Sequence, residues 1–221
     1  MTPLITGANR GIGLRLLQDY AAEGLSPIGT TRADDAPRVD GARWEALDVT
    51  DAKQQKALAG KLSAQPVDLL ICNAGQFLDK HEALETGYPP AMWAQTFATN
   101  VTGVFLTIQA LLPNLRLAAR PRIAVISSTM ASSERAPGGS YIYRASKAAA
   151  VNLGRNLAAD LKPMGIAVGI YHPGWVRTDM GGAGADIDVA DASAGLRARF
   201  EVLSLDTTGC FETWDGRPHS Y

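Results

Sequence analysis

The segment Tyr143-Arg144-Ala145-Ser146-Lys147 sets a phenol and an ammonium four residues apart at the head of an alanine-rich stretch. On a helix that spacing puts both side chains on one face, about 6 Å apart along the axis. An ammonium beside a phenol favours phenolate and draws the tyrosine down from its usual pKa of about 10. Tyr143 then becomes a workable proton donor and acceptor near neutral pH. Tyr141 stands close by, but its spacing to Lys147 is not that of one face. A packing tyrosine near a surface lysine has the same local sequence, so the pair draws its meaning from what surrounds it. Just upstream, Ser127-Ser128 closes an apolar run and offers a hydroxyl that could hold a substrate oxygen.

A second constellation lies near the N-terminus, in Thr6-Gly7-Ala8-Asn9-Arg10-Gly11-Ile12-Gly13. Three glycines crowd a turn between an apolar run and a helix-like segment. Missing side chains let backbone N–H groups approach a diphosphate, and the helix N-terminus adds a favourable partial charge. About twenty residues on, an acidic side chain would suit a free ribose 2′-hydroxyl. Thr31 and Arg32 stand there instead, and Arg10 precedes the second glycine of the loop. Two guanidinium groups match a 2′-phosphate, which points to NADP(H) over NAD(H). Asp34 and Asp35, slightly further along, keep NAD(H) open. After another apolar run, Asn73-Ala74-Gly75 supplies small residues suited to the floor beneath a flat ligand.

These residues need a scaffold that brings strand ends together. Short apolar runs at Thr2–Ile5, Pro27–Thr31, Arg43–Leu47, Val67–Cys72, Arg122–Ser127 and Ile166–Tyr171 alternate with helix candidates. The candidates are Gly11–Gly24, Asp51–Ser63, Ala91–Ala119 and Tyr141–Leu161. The first turns Ile12, Leu16, Leu17 and Tyr20 to one face and Arg15, Gln18 and Asp19 away from it, and Gly24 ends it. Asp51 is a cap for the second. Strands alternating with helices imply an α/β, doubly wound (Rossmann) parallel sheet of about seven strands with helices on both faces. The ligand site then lies at the carboxyl ends of the strands, where all the motifs above fall.

Length and composition narrow the class. At 221 residues the chain is read as a single domain over 1–221, with a short lid near 178–190 containing Gly181, Gly182 and Gly184. Formal charge is −1, from 21 Lys+Arg against 22 Asp+Glu, which argues against a nucleic-acid partner. Two cysteines, Cys72 and Cys210, make no disulfide framework, and Cys72 reads as a buried thiol. Three scattered histidines, His81, His172 and His219, lack metal-ligand spacing, so no metal is expected. An uncharged stretch from Thr86 to Leu115 could span a bilayer by length, but prolines and amides interrupt it. A helix buried on most sides is expected there, with no membrane partner. The start Met1-Thr2-Pro3-Leu4-Ile5-Thr6-Gly7 lacks the charged and apolar regions of a signal peptide, so a cytoplasmic location is expected.

Taken in order, Thr6-Gly7…Gly11-Ile12-Gly13, Asp48-Val49, Asn73-Ala74-Gly75, Asn100, Ile126-Ser127-Ser128, Tyr143…Lys147 and Pro173-Gly174…Thr178 resemble the short-chain dehydrogenase/reductase family. His172-Pro173-Gly174-Trp175-Val176-Arg177-Thr178-Asp179-Met180-Gly181-Gly182 and the tail Phe211-Glu212-Thr213-Trp214-Asp215-Gly216 resemble its C-factor and sniffer-type carbonyl reductases. The resemblance implies a catalytic set of Asn100, Ser128, Tyr143 and Lys147. Tyr143 would be the acid/base, Lys147 would lower its pKa and meet the nicotinamide ribose, Ser128 would orient the carbonyl, and Asn100 would hold a relay water. Gly7, Asn9, Arg10, Gly11, Ile12, Gly13 and Arg32 would meet the phosphates. Asp48 and Val49 would meet the adenine, with Asn73, Ala74 and Gly75 nearby, and Pro173, Gly174, Val176 and Thr178 would border the nicotinamide. The gap of fifteen residues from Ser128 to Tyr143 is a little long for the family, and Ser132 and Ser133 lie within it, so the substrate-orienting serine stays open.

The expectation is an NADP(H)-dependent oxidoreductase acting on a small carbonyl or alcohol, with Trp175, Met130 and Met180 as candidate apolar pocket residues. The resemblance also implies a homodimer built on the apolar helix near 91–119 and the helix carrying Tyr143. A rival reading is an NADPH-binding regulator of the C-factor type with little turnover. A dehydratase or epimerase would share Tyr143 and Lys147 but usually carries a longer C-terminal substrate domain.

Overall fold

The computed structural model describes residues 1–32 and 36–221. Asp34 and Asp35, which bear on the NAD(H) alternative, lie outside the described residues. Among the described residues seven strands form one parallel sheet: β1 (Pro3–Ile5), β2 (Ile28–Thr31), β3 (Arg43–Ala46), β4 (Leu69–Cys72), β5 (Arg122–Ile126), β6 (Ala167–His172) and β7 (Phe211–Thr213). Their spatial order is β3-β2-β1-β4-β5-β6-β7, and each neighbouring pair is parallel. The chain reverses its direction of travel between β1 and β4, which opens a crevice at their carboxyl ends.

Among the described residues six α-helices cover the sheet: α1 (Gly11–Ala22), α2 (Ala52–Lys61), α3 (Pro90–Phe97), α4 (Gly103–Leu115), α5 (Tyr141–Leu161) and α6 (Val189–Val202). Strand side chains alternate between two cores. Leu70 and Cys72 of β4 point into the layer of α2, α4 and α5, with Leu58, Ile108 and Val151. Leu69 and Ile71 point into the layer of α1 and α6, with Leu16, Leu17, Leu196 and Phe200. Each such large apolar side chain contributes about 1.5–3 kcal/mol when taken out of water. Cys72 is buried, and burial pushes its thiol up to about 12, which makes it inert packing.

Local signals explain the helix ends. The Asp51 carboxylate accepts from the N–H of Lys53 and Gln54 and caps α2. Gly24 follows the end of α1 with φ +75°, a conformation that suits glycine. Asp19 is a correction to the solvent-facing reading. It accepts from Ser193 of α6 at 2.7 Å and pairs with Arg15, so it ties α1 to α6.

The apolar segment near 91–119 also departs from expectation. It runs from Pro90 to Leu115, but only 39% of its most apolar window is buried. By length and composition it is long enough to cross a membrane. One flank packs on α2 and α5, while Trp93 and Phe105 stay partly exposed. Between α3 and α4 lies a π-helical turn, Ala98–Thr102, which holds Asn100.

Gly154 lets α5 approach the sheet closely. A Cβ there would come within 2.6 Å of Ile170 on β6. That close approach sets the N-terminal end of α5, with Tyr143 and Lys147, against the ends of β4 and β5.

Candidate active site

A cleft of about 650 Å³ opens at the carboxyl edge of the sheet, over the β1/β4 crevice. That volume lies in the ordinary range for small-molecule and cofactor sites. Its walls include Gly7, Asn9, Arg10, Gly11, Ile12, Gly13, Arg32, Asp48, Val49, Asn73, Ala74, Gly75, Tyr143, Lys147, Pro173 and Thr178. These residues, drawn from six separate sequence segments, therefore meet around one space. Ser128, Asn100, Gly174 and Val176 are not among the lining residues, although the neighbouring Ser127 and Pro173 are.

The glycine loop is braced from behind. Asn73 donates through Nδ2 to the carbonyls of Thr6 and Gly7, at 2.9 and 3.1 Å. Thr6 Oγ1 accepts from the N–H of Asn73 and Ala74. A Cβ at Gly13 would strike Asn73 Nδ2 at 2.5 Å and Gly7 O at 2.6 Å, so only glycine fits where α1 meets this brace. Asn73 thus holds the loop in shape from the far side. The first turn of α1 has no acidic side chain and no side-chain cap, and its Gly11, Ile12 and Gly13 line the cleft.

The two arginines are exposed and paired with carboxylates. Arg10 contacts Asp179 at 3.2 Å, and Arg32 lies 3.9 Å from Asp48. Asp48 also accepts from the backbone and hydroxyl of Thr50. Asp179 belongs to the stretch after β6 that was expected to form a lid. There Val176 bridges Ile187, Arg177 pairs with Asp188, and Lys80 donates to the Met180 carbonyl across the cleft mouth. Gly174, with φ +90°, packs so tightly against Ile187 that a Cβ would clash at 2.2 Å. Gly174 and Val176 accordingly shape the base of this segment. Met180 lines the cleft, whereas Trp175 is largely exposed and donates to the Gly181 carbonyl.

Tyr143 and Lys147 are both buried on the inner face of α5. The Tyr143 ring stacks on Phe77 with centroids 4.2 Å apart, and its hydroxyl hydrogen-bonds Ser128. Of the serines that the sequence offered, Ser128 is the one beside the phenol. Ser132 turns away to Ser220 and the Tyr221 carbonyl, and Ser133 is exposed on the outer surface. Tyr141 is exposed too, edge-on to Tyr88.

Electrostatics correct one expectation. Burial pushes the Tyr143 phenol up to about 12, while the Ser128 hydrogen bond draws it back and the Asp79 charge adds to the rise. The Lys147 ammonium does not lower it in this arrangement. Nζ sits 5.7 Å from the ring centroid and donates to the Ile126 carbonyl at 2.9 Å. Burial instead pulls Lys147 down to about 8. Desolvation outweighs the mutual attraction that the four-residue spacing suggests.

Asn100 is 1% exposed within its π-helical turn. Its Nδ2 donates to the Gln76 carbonyl and to Ser146 Oγ, and its Oδ1 accepts from the Gln76 N–H. Gly75 lies beside both Asn100 Oδ1 and Lys147 Nζ. Sequence reasoning missed Asp79, a buried carboxylate that accepts from the N–H of Ile142 and Tyr143. It acts from more than sixty residues away, so no local pattern announces it.

The β1–glycine loop–α1 unit, the Asn-Ala-Gly brace and the Ser–Tyr–Lys cluster define one arrangement on a seven-stranded parallel sheet. Residues 2–186 match the short chain dehydrogenase family. This chain belongs to that family. Among solved structures, it is similar to the NADPH-bound carbonyl reductase from chicken fatty liver, with a TM-score of 0.91 and 30% identity over 100% of this chain and 98% of that one. It is also similar to the carbonyl reductase Sniffer of D. melanogaster, with a TM-score of 0.89 and 29% identity over 100% and 99% of the two chains. By sequence it is 36% identical to the C-signal of Myxococcus xanthus over 162 residues, 73% of this chain and 96% of that protein. As a short-chain dehydrogenase, the chain is an oxidoreductase by family, on a Rossmann-type scaffold.

Proposed function

We propose that this short-chain dehydrogenase is an NADP(H)-dependent enzyme that interconverts a small ketone or aldehyde and its alcohol. One observation carries the reading: a buried tyrosine, hydrogen-bonded to Ser128, stands at one end of a cleft whose other end is a glycine loop flanked by two arginines. The residues fit the cofactor. Gly7 and Gly11 take positive φ, the α1 N-terminus is free of acidic side chains, and Arg10 and Arg32 border the cleft. The NADPH-bound reductase from chicken fatty liver supports the same reading. When bound, the cofactor exchanges a hydride with the substrate carbon.

The chain's own residues handle the oxygen. Ser128 holds the carbonyl oxygen by its hydroxyl. Tyr143 donates its phenolic proton to that oxygen as negative charge grows there, and takes the proton back in the reverse direction. Lys147, brought down to about 8, gains or loses a proton close to neutral pH and so can replenish Tyr143. Both N–H groups of the Asn100 amide are committed, but Oδ1 accepts only one bond and lies beside Gly75, as does Lys147 Nζ. A relay water is held at that point. Thr178 and Pro173 border the nicotinamide end.

The chain works in the cytoplasm, apart from membranes, as a homodimer. The half-exposed Trp93 and Phe105 on the α3–α4 flank support pairing between copies. Sedimentation at high concentration showing monomer alone would remove the dimer.

The deciding experiment is NADPH consumption against a broad aldehyde and ketone panel, wild type beside Tyr143→Phe. Turnover that falls about a thousandfold in the variant, with NADPH binding retained, is expected. A second reading rests on the similarity to C-signal: a regulator that binds NADPH with little turnover. Tight NADPH binding with silence across the panel in wild type would favour it.

A further inference from the structure

Helix α5 begins without a cap of its own. Ser140 occupies the cap position, and serine is among the best capping residues. Its backbone is left-handed, at φ +46°, and its side chain makes no capping bond. The task falls to Asp79, from the loop after β4. Its carboxylate is 1% exposed and accepts from Ile142 N–H at 2.8 Å and from Tyr143 N–H at 3.2 and 3.3 Å.

An ordinary cap does not need a charge. Asparagine or serine would satisfy the same donors without the cost of burying a carboxylate, which runs to several kcal/mol. Asp79 forms no ion pair among the described residues, so only the helix N-terminus offsets that cost. The cap also falls on the functional residue itself. Tyr143 is held at every polar point: its N–H by Asp79, its carbonyl by Ser146 Oγ at 2.8 Å, and its hydroxyl by Ser128. Phe77, two residues before Asp79, stacks on the ring. Gln76, one residue earlier again, is tied at both N–H and C=O to Asn100. Residues 76–79 therefore form a strut from the cleft floor to the head of α5.

We propose that Asp79 is a positioning residue for Tyr143, fixing the backbone from which the phenol projects and placing a negative charge beside it. This rests on the reading of Tyr143 as the acid/base. The charged and titratable groups facing the phenol are Asp79 on the strut and Lys147 on α5, with the Ser128 hydroxyl from the β5 end. A negative neighbour disfavours phenolate, so Asp79 keeps Tyr143 a proton donor over a wider pH range.

The test compares wild type, Asp79→Asn, Asp79→Ala and Tyr143→Phe in the full chain. Readouts are kcat and KM across pH, NADPH affinity, and ultraviolet titration of tyrosinate by difference against Tyr143→Phe. Asp79→Ala should lower kcat about tenfold or more, with NADPH affinity changed less than about twofold, because the donor rather than the cofactor site is displaced. Asp79→Asn keeps the cap without the charge. It should recover most of kcat at low pH, while its alkaline fall in kcat and its Tyr143 titration both move to lower pH. If the Asn variant overlays wild type in both profiles and the Ala variant keeps its kcat, the proposal is overturned. If Asp79→Ala fails to fold, the Asn profiles decide alone. Retained turnover in Tyr143→Phe would instead defeat the acid/base reading beneath it.

Discussion

The two ends of the cleft are built to opposite rules. At the end proposed for the chemistry, Tyr143, Lys147, Ser128 and Asn100 are all at most 7% exposed, and each makes a polar contact. At the end proposed to select the cofactor, the side chains of Arg10 and Arg32 are 66% and 71% exposed, and those of their partners Asp179 and Asp48 are 78% and 31% exposed. Proton transfer needs atoms held to within fractions of an ångström, and rigid burial provides that. Recognition of a phosphate needs charge more than position, and an exposed arginine can leave a weak surface pair for a stronger ligand. The chain spends its stability on the first and little on the second.

The comparison can be broken at its rigid end first. Lys147→Met should lower kcat by about a hundredfold or more. The same change should raise stability by about 1–2 kcal/mol at neutral pH, because it removes a buried charge. The sign follows from linkage. Lys147 falls from 10.5 to about 8 on folding, so its charged form is disfavoured in the native state. The cost is full below pH 8 and fades as pH rises toward 10.5, where both states are neutral. Denaturant melts of both proteins at pH 7 and pH 10 should therefore differ at the first and converge at the second. A constant difference would mean that packing, not charge, sets the gap.

The selective end should respond more mildly. Arg10→Ala and Arg32→Ala should each weaken NADPH binding about tenfold, with NADH binding nearly unchanged. Fluorescence titration of the two cofactors reads this directly, and equal loss for both would deny the arginines a role in selectivity. The smallest effect belongs to Asp179→Asn. Freeing Arg10 from its carboxylate should tighten NADPH binding about two- to threefold, an effect that shrinks in high salt.

A third test uses a buried group that does not itself line the cleft. His172 is held neutral, pulled down to about 4 by burial, with the charges of His219, Arg135 and Arg217 adding to the fall. The unfolded histidine binds its proton near 6.5, so native stability is complete above that pH and declines between 6.5 and 4. His172→Gln should flatten this acid slope in melts recorded from pH 7 to pH 4.

The central strands were legible because β1, β4 and β5 are buried and read as largely apolar runs. β5 and α5 fall at the expected residues to within one position. β7 has only three residues, too few for a run, and only the resemblance of the tail hinted at it. The cleft residues were legible because they follow strand ends in chain order. What escaped was long-range or energetic. Asp79 caps a helix from another loop, and a lone aspartate between Leu78 and Lys80 carries no sign of burial. The raised Tyr143 phenol depends on how deeply α5 seats, which a four-residue spacing does not encode.

The π-helical turn at Ala98–Thr102 has a consequence for how this gene can change length. A π-turn accommodates one residue more than an α-helical turn of the same rise. Losing a single codon there would leave a regular helix, with no proline or glycine introduced and no loop shortened. The flanking helix faces would keep their orientation, but the wide turn that presents Asn100 would close. Asn100 would lose its hold on Gln76 and Ser146, and the strut beneath Tyr143 would lose its anchor. Deletions are usually tolerated in loops and punished in strands. Here the loss of one amino acid from the middle of a long helix would unmake the site while leaving the helix whole.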